Sequence, residues 1–166
     1  RDRFEVAHYI ELAKRNGLRI EAVISTHIHA DHRSGDRELA ALTGAALYLH
    51  RSAAVNYPFT PLDDAGEISL GNVIITALHT PGHTPESISL TVTDRTRSAE
   101  PWMVLTGDTL FVGDVGRPDL GGRDAGATLY DSLHGKLLAL PDYMEVYPAH
   151  ISGSPCGKAM SGKPSS

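Results

Sequence analysis

At 166 residues, 41% hydrophobic and 21% charged, the chain is one globular domain's worth of sequence, long enough to bury a core. A net charge of −5 with no basic run excludes a general nucleic-acid binder, and no apolar stretch reaches the ~18–20 residues of a membrane span. The single Cys156 lacks an internal disulfide partner and no signal peptide opens the chain, which together point to a reducing, cytoplasmic setting.

Residues 3–16 read as an amphipathic helix, with Val6, Tyr9, Ile10 and Ala13 at i, i+3, i+4, i+7 and Asn16-Gly17 as its stop. Residues 20–25 form a short β-type run that leads into a histidine cluster. Residues 34–43 are helical and end at Gly44, and residues 46–50 are a second strand. Residues 68–70 and 73–78 flank Gly71-Asn72 as a hairpin. Two more strands, 87–93 and 102–106, are joined by a polar loop over 94–101. Residues 126–139 are expected to be one helix with Leu129, Leu133, Leu137 and Leu138 on a single face, and Val146-Tyr147 a last short strand. Strands alternate with helices, so the class is α/β. Both ends read as cut: the chain opens on Arg1 and closes on a segment, 161–166, without a packing pattern.

The polar residues fall at the ends of these strands. The run Thr26-His27-Ile28-His29-Ala30-Asp31-His32 crowds three imidazoles and a carboxylate together, and His83, Asp108 and His150 each follow a later strand. Functional side chains on the edge loops of a rigid sheet are a common site architecture. Histidine and carboxylate suit zinc or iron rather than a soft-metal site. Packing gives no reason to gather so many titratable groups, which would otherwise repel one another or lose their protons. His8, His50, His79 and His134 are isolated by comparison and read as ordinary surface or strand-end histidines. Gly82 permits an unusual backbone angle before His83, and the neighbouring Pro81 and Pro85 stiffen that loop.

The run THIHADH, followed in order by PGHT, TGDT and YPAH, resembles the metallo-β-lactamase superfamily over nearly the whole chain. The resemblance implies an αββα sandwich, expected here without the N-terminal strands of its first sheet, with residues 1–152 as the domain and 153–166 leading out of it. Residues 107–120, GDTLFVGDVGRPDL, and the stretch from Leu129-Tyr130-Asp131-Ser132-Leu133 to Tyr147-Pro148-Ala149-His150 are similar to the persulfide dioxygenases. Gly153-Ser154-Pro155-Cys156-Gly157-Lys158 resembles the bacterial branch that carries rhodanese domains after this one.

That branch implies one Fe(II) per chain held by His27, His83 and Asp108 as the catalytic centre. His29, Asp31, His32 and His150 would then support those ligands or hold waters. A two-histidine, one-carboxylate triad leaves open positions for O₂ and for a sulfur substrate. The implied reaction oxidises glutathione persulfide with O₂ to sulfite and glutathione. Arg117 is the foremost of four cations near the motif loops, with Arg33, Arg123 and Lys158, that would offset an anionic substrate, and Tyr147 is similar in position to a family aromatic. Cys156, most simply a small buried hydrophobe, would alternatively relay sulfane sulfur. The expected partners are a thiol or persulfide, O₂, rhodanese domains beyond this chain and a second copy in a homodimer, with neither nucleic acid nor membrane. The rival implication is a dizinc thioester hydrolase of the glyoxalase II type, in which all seven side chains hold two zinc ions and Asp108 bridges them.

Overall fold

The computed structural model describes residues 5–150, and within them the strands form two main sheets and a separate two-stranded hairpin. In chain order the elements begin with helix α1 (Val6–Arg15), β1 (Ala22–Ile24), α2 (Asp36–Thr43), β2 (Ala46–His50) and β3 (Thr60–Leu62). They continue with β4 (Glu67–Leu70), β5 (Val73–His79), β6 (Ile88–Asp94), β7 (Met103–Gly107) and the small hairpin β8 (Leu110–Phe111) and β9 (Asp114–Val115). A 3₁₀ turn (Pro118–Leu120), helix α3 (Ala125–Ser132) and β10 (Glu145–Pro148) complete the set. The first sheet is parallel, in the order β1-β2-β3. The second runs β10-β7-β6-β5-β4, with β10 parallel to β7 and the other pairs antiparallel.

Side-chain alternation explains the layering. Ala22, Ile24, Tyr48 and Leu62 of the first sheet pack against Ile68, Ala77, Ile88 and Leu90 of the second, so the main core lies between the sheets. The intervening residues Val23, Leu47 and Leu49 turn the other way and pack with Ala40 of α2 and with Ala53, Tyr57 and Phe59. On the far face of the second sheet, Val104 meets Leu133, Leu137 and Met144. The order helix, sheet, sheet, helix is the expected αββα sandwich. Leu49 is 2% exposed at the centre of the α2 face. Leu49→Ala is therefore expected to lower unfolding stability by about 2–5 kcal/mol, measured by urea denaturation.

Three features depart from the sequence expectation. β3 contains Pro61 at its middle position, which argues against a strand, but β3 lies at the border of its sheet among the described residues, where proline is tolerated. The β8–β9 hairpin is only two residues per strand and leaves no periodic signal. The helix expected over 126–139 is α-helical only to Ser132 and continues as a π-turn, Leu133–Leu137, closed by the Leu138 N–H bonding to Leu133 O at 2.8 Å. The widened turn keeps Leu137 in the core but rotates Leu138 outward, leaving it 60% exposed rather than on the apolar face.

Candidate metal centre

Four loops, each leaving a strand, meet at one end of the sandwich. The β1 loop is docked to the second sheet by the Ile88 N–H donating to Thr26 O at 2.8 Å. His83 lies on the β5–β6 loop, whose backbone is gripped by α3. The Ser132 hydroxyl donates to Pro81 O at 2.7 Å, and Gly82, at φ +140°, lies so close to Leu129 that a Cβ there would come within 2.5 Å of that side chain. Only glycine meets both demands at this position. Asp108 follows β7, and the Thr109 hydroxyl beside it meets the buried Thr80 hydroxyl at 3.1 Å, tying this loop to the end of β5. The Ala149 N–H donates to Gly107 O at 2.9 Å and so brings His150 alongside Asp108.

The seven side chains anticipated from sequence are brought together, but not as equals. His27, His83 and Asp108 are 3%, 1% and 2% exposed and present one ligand atom each within 4.8 Å of one another. Asp108 Oδ2 lies 3.4 Å from His27 Nε2 and 3.6 Å from His83 Nε2. Ligand bonds of about 2.1 Å around one ion put neighbouring donors about 3.0–3.5 Å apart, so the spacing suits a transition-metal ion. The His83 Nδ1–H donates to the Arg117 carbonyl at 3.1 Å, which leaves the Nε2 lone pair facing the group. His29, Asp31 and His32 form a second, more open group whose ligand atoms also lie within 4.8 Å. His150 joins the two groups: its Nδ1 contacts Asp108 Oδ1 at 2.8 Å and its Nε2 lies 3.4 Å from Asp31 Oδ2.

The electrostatics prepare these groups as donors. Burial, reinforced by the neighbouring His27 and His32, pushes the His29 pKa down to about 3, so the ring is neutral at physiological pH. Its Nδ1 is buried without a hydrogen-bond partner among the described residues, an orphan donor-acceptor atom that a cation would satisfy. Burial alone would raise the Asp108 pKa, but hydrogen bonds and charge from His27 and His150 outweigh it and hold the carboxyl below the usual range. Burial and the nearby His27 lower the His83 pKa as well, keeping that ring available as a neutral ligand. A cavity of about 460 Å³ lined in part by His29, His32 and His150 opens beside the two groups.

The accessory residues are placed differently. The Arg117 side chain pairs with Asp119, and what it offers the centre is its backbone carbonyl. The Tyr147 hydroxyl donates to Glu145 at 2.6 Å on an exposed part of β10. Arg33 lines a second cavity with His29 and His32, and Arg123 is exposed. Cys156 and Lys158 lie outside the described residues. The remaining histidines stay apart from the metal-type groups: His50 and His79 stack on each other at 3.8 Å, His134 lies against Tyr130, and His8 is edge-on to Tyr9. Two contributors to the centre are not among the candidate residues: Gly116, inside the 107–120 motif, passes hard against the Asp108 backbone, and Glu86, which no motif marks, is buried behind the histidine loops.

Comparison with known proteins agrees with this geometry. The profile of the Metallo-beta-lactamase superfamily matches residues 2–150. The chain is 32% identical to the mitochondrial persulfide dioxygenase ETHE1 of Bos taurus over 141 residues, which is 84% of this chain and 52% of that protein. It is 34% identical to the hydroxyacylglutathione hydrolase of Anaeromyxobacter dehalogenans over 147 residues, 88% of this chain and 54% of that protein. The chain thus spans about half the length of these curated relatives. Among solved structures, ETHE1 from Myxococcus xanthus superposes with a TM-score of 0.79 at 30% identity, covering 94% of this chain and 65% of that one. With the family profile matching residues 2–150, the chain belongs to the metallo-beta-lactamase superfamily.

Proposed function

We propose that the protein is a mononuclear non-haem iron persulfide dioxygenase, oxidising glutathione persulfide with O₂ and water to sulfite and glutathione. The observation that carries this reading is the asymmetry of the centre: His27, His83 and Asp108 are fully buried as a two-histidine, one-carboxylate set, while His29, Asp31 and His32 form a separate, more exposed group. Similarity to the ETHE1 proteins supports the same choice.

Bound Fe(II) would supply O₂ activation at a site with open coordination positions. The chain's own residues supply orientation and charge. Arg117 O fixes the tautomer of His83, and the His150 Nδ1–H, shared between both Asp108 oxygens at 2.8 and 3.0 Å, fixes the plane of that carboxylate. His29 is a neutral ring facing the cavity, suited to holding a water or donating a lone pair to a cation rather than to taking up a proton. Arg33, which lines a second cavity with His29 and His32, would meet the anionic end of a persulfide, and Cys156 remains a proposed sulfur relay. We place the domain at residues 1–152, with rhodanese domains and a homodimeric partner as the proposed context.

A second reading, a dizinc hydroxyacylglutathione hydrolase, is favoured by the His29-Asp31-His32 group and by the hydrolase relative. Metal analysis and turnover separate the two. Anaerobically purified protein is expected to hold about one iron per chain and to consume O₂ only when persulfide is added. Two zinc ions per chain, thioester cleavage and no O₂ uptake would overturn the dioxygenase reading.

A further inference from the structure

Glu86 follows Pro85 in a loop, a setting that normally turns a carboxylate into solvent, yet it is only 7% exposed. Its Oε1 accepts two hydrogen bonds at 2.8 Å, from the Ile28 backbone N–H and from the Thr84 hydroxyl. Ile28 separates His27 from His29, and Thr84 follows His83. A single carboxylate oxygen therefore joins the histidine loop of the first sheet to the histidine loop of the second. The Thr84 hydroxyl is itself aimed: it meets the Ser87 hydroxyl at 2.8 Å, whose oxygen also accepts the Thr84 N–H at 3.2 Å. Burying a carboxylate is costly unless it is well hydrogen-bonded, and here its partners are the two ligand-bearing loops themselves.

We propose that Glu86 is a positioning residue for the metal centre, setting the separation of His27 and His83 through the hydrogen bonds it accepts from Ile28 and Thr84. Glu86 lies outside both groups of metal-type donors, so it acts through the loops rather than on an ion. The proposal rests on the centre holding a transition metal, and it is independent of whether the reaction is persulfide oxidation or thioester hydrolysis.

The test is a titration of the metal-free full chain with Co(II), followed by its visible d–d absorption, with no substrate present. Glu86→Ala is expected to bind Co(II) about 10–100-fold more weakly and with shifted bands, as outer partners of metal ligands generally do. Glu86→Gln keeps an oxygen acceptor at the same reach and is expected to restore affinity and spectrum close to wild type. Thr84→Val removes one donor at constant bulk and is expected to weaken binding about fivefold, so it decides the matter where Glu86→Ala folds poorly. Wild-type affinity and spectrum in Glu86→Ala or in Thr84→Val would overturn the proposal. So would a Glu86→Gln variant as impaired as Glu86→Ala, because charge or packing would then be what matters. A failure of the dioxygenase reading appears in the metal content of the purified protein and in turnover, and it leaves the ranking of the variants in the Co(II) titration unchanged.

Discussion

Asp108→Ala is expected to leave the purified protein without bound metal, whereas Asp31→Ala is expected to retain one ion per chain. Asp108 is the carboxylate on which the centre closes: its Oδ2 approaches both His27 and His83, and both of its oxygens lie near His150 Nδ1. Loss of a group that merely supports a ligand weakens metal binding about 10–100-fold, so loss of the ligand itself should exceed that range. Asp31 belongs to the outer group, where it contacts His32 at 2.8 Å. Elemental analysis of both variants checks the prediction. Metal retained by Asp108→Ala would remove Asp108 from the ligand set, and complete loss in Asp31→Ala would make the two groups one binuclear unit.

The same carboxylate gives the metal-free fold a pH dependence. Its folded-state pKa is depressed below the ordinary value of 3.8, so the stability it contributes is fully present above that value. That contribution is lost as pH falls through the depressed folded-state value. Metal-free wild type is therefore expected to be more stable than Asp108→Asn at neutral pH, and the two melting curves should converge in acid.

Much of this centre is legible in the chain because each ligand sits within four residues of the end of a strand. Ala22–Ile24 delivers His27, β7 delivers Asp108 and β10 delivers His150, and a strand end fixes where the next residue must lie. The split between the two groups is less legible, since His27 and His29 are alike in sequence and differ only in how deeply the docked β1 loop buries them. Arg117 illustrates the limit: its place in the Gly-Arg-Pro turn marks it for the site, but the turn presents the carbonyl to His83 while the guanidinium pairs with Asp119. Pro61 in β3 and the π-turn after Ser132 are tertiary outcomes, one permitted by a sheet border and the other by the packing of Leu133 and Leu137 on Val104. Local propensity contains neither.

Gly116→Ala is expected to damage the centre at least as severely as the loss of a group that supports a ligand, although residue 116 has no side chain to contribute. The β8–β9 hairpin folds back so tightly that a Cβ at Gly116 would fall inside the van der Waals shell of the Asp108 carbonyl oxygen and within 3.1 Å of the His83 Cβ. Both neighbours are backbone or near-backbone atoms of ligands, so neither can swing aside as a flexible side chain would. Relief requires moving the hairpin or moving Asp108. The first breaks the Gly116 N–H bond to Thr109 O at 3.3 Å, and the second opens the spacing to His27 and His83. The expected result is at least a tenfold loss of metal affinity together with about 1–3 kcal/mol of destabilisation, read by metal titration and by denaturation. Gly113→Ala, in the turn of the same hairpin, separates this effect from general strain. Gly113 has φ +75°, and a Cβ added there would meet no described atom within 4 Å, so alanine should cost about 1–2 kcal/mol of backbone strain while metal affinity stays unchanged. Equal loss of metal in both variants would mean that the hairpin as a whole, rather than the contact at Gly116, holds Asp108 in place.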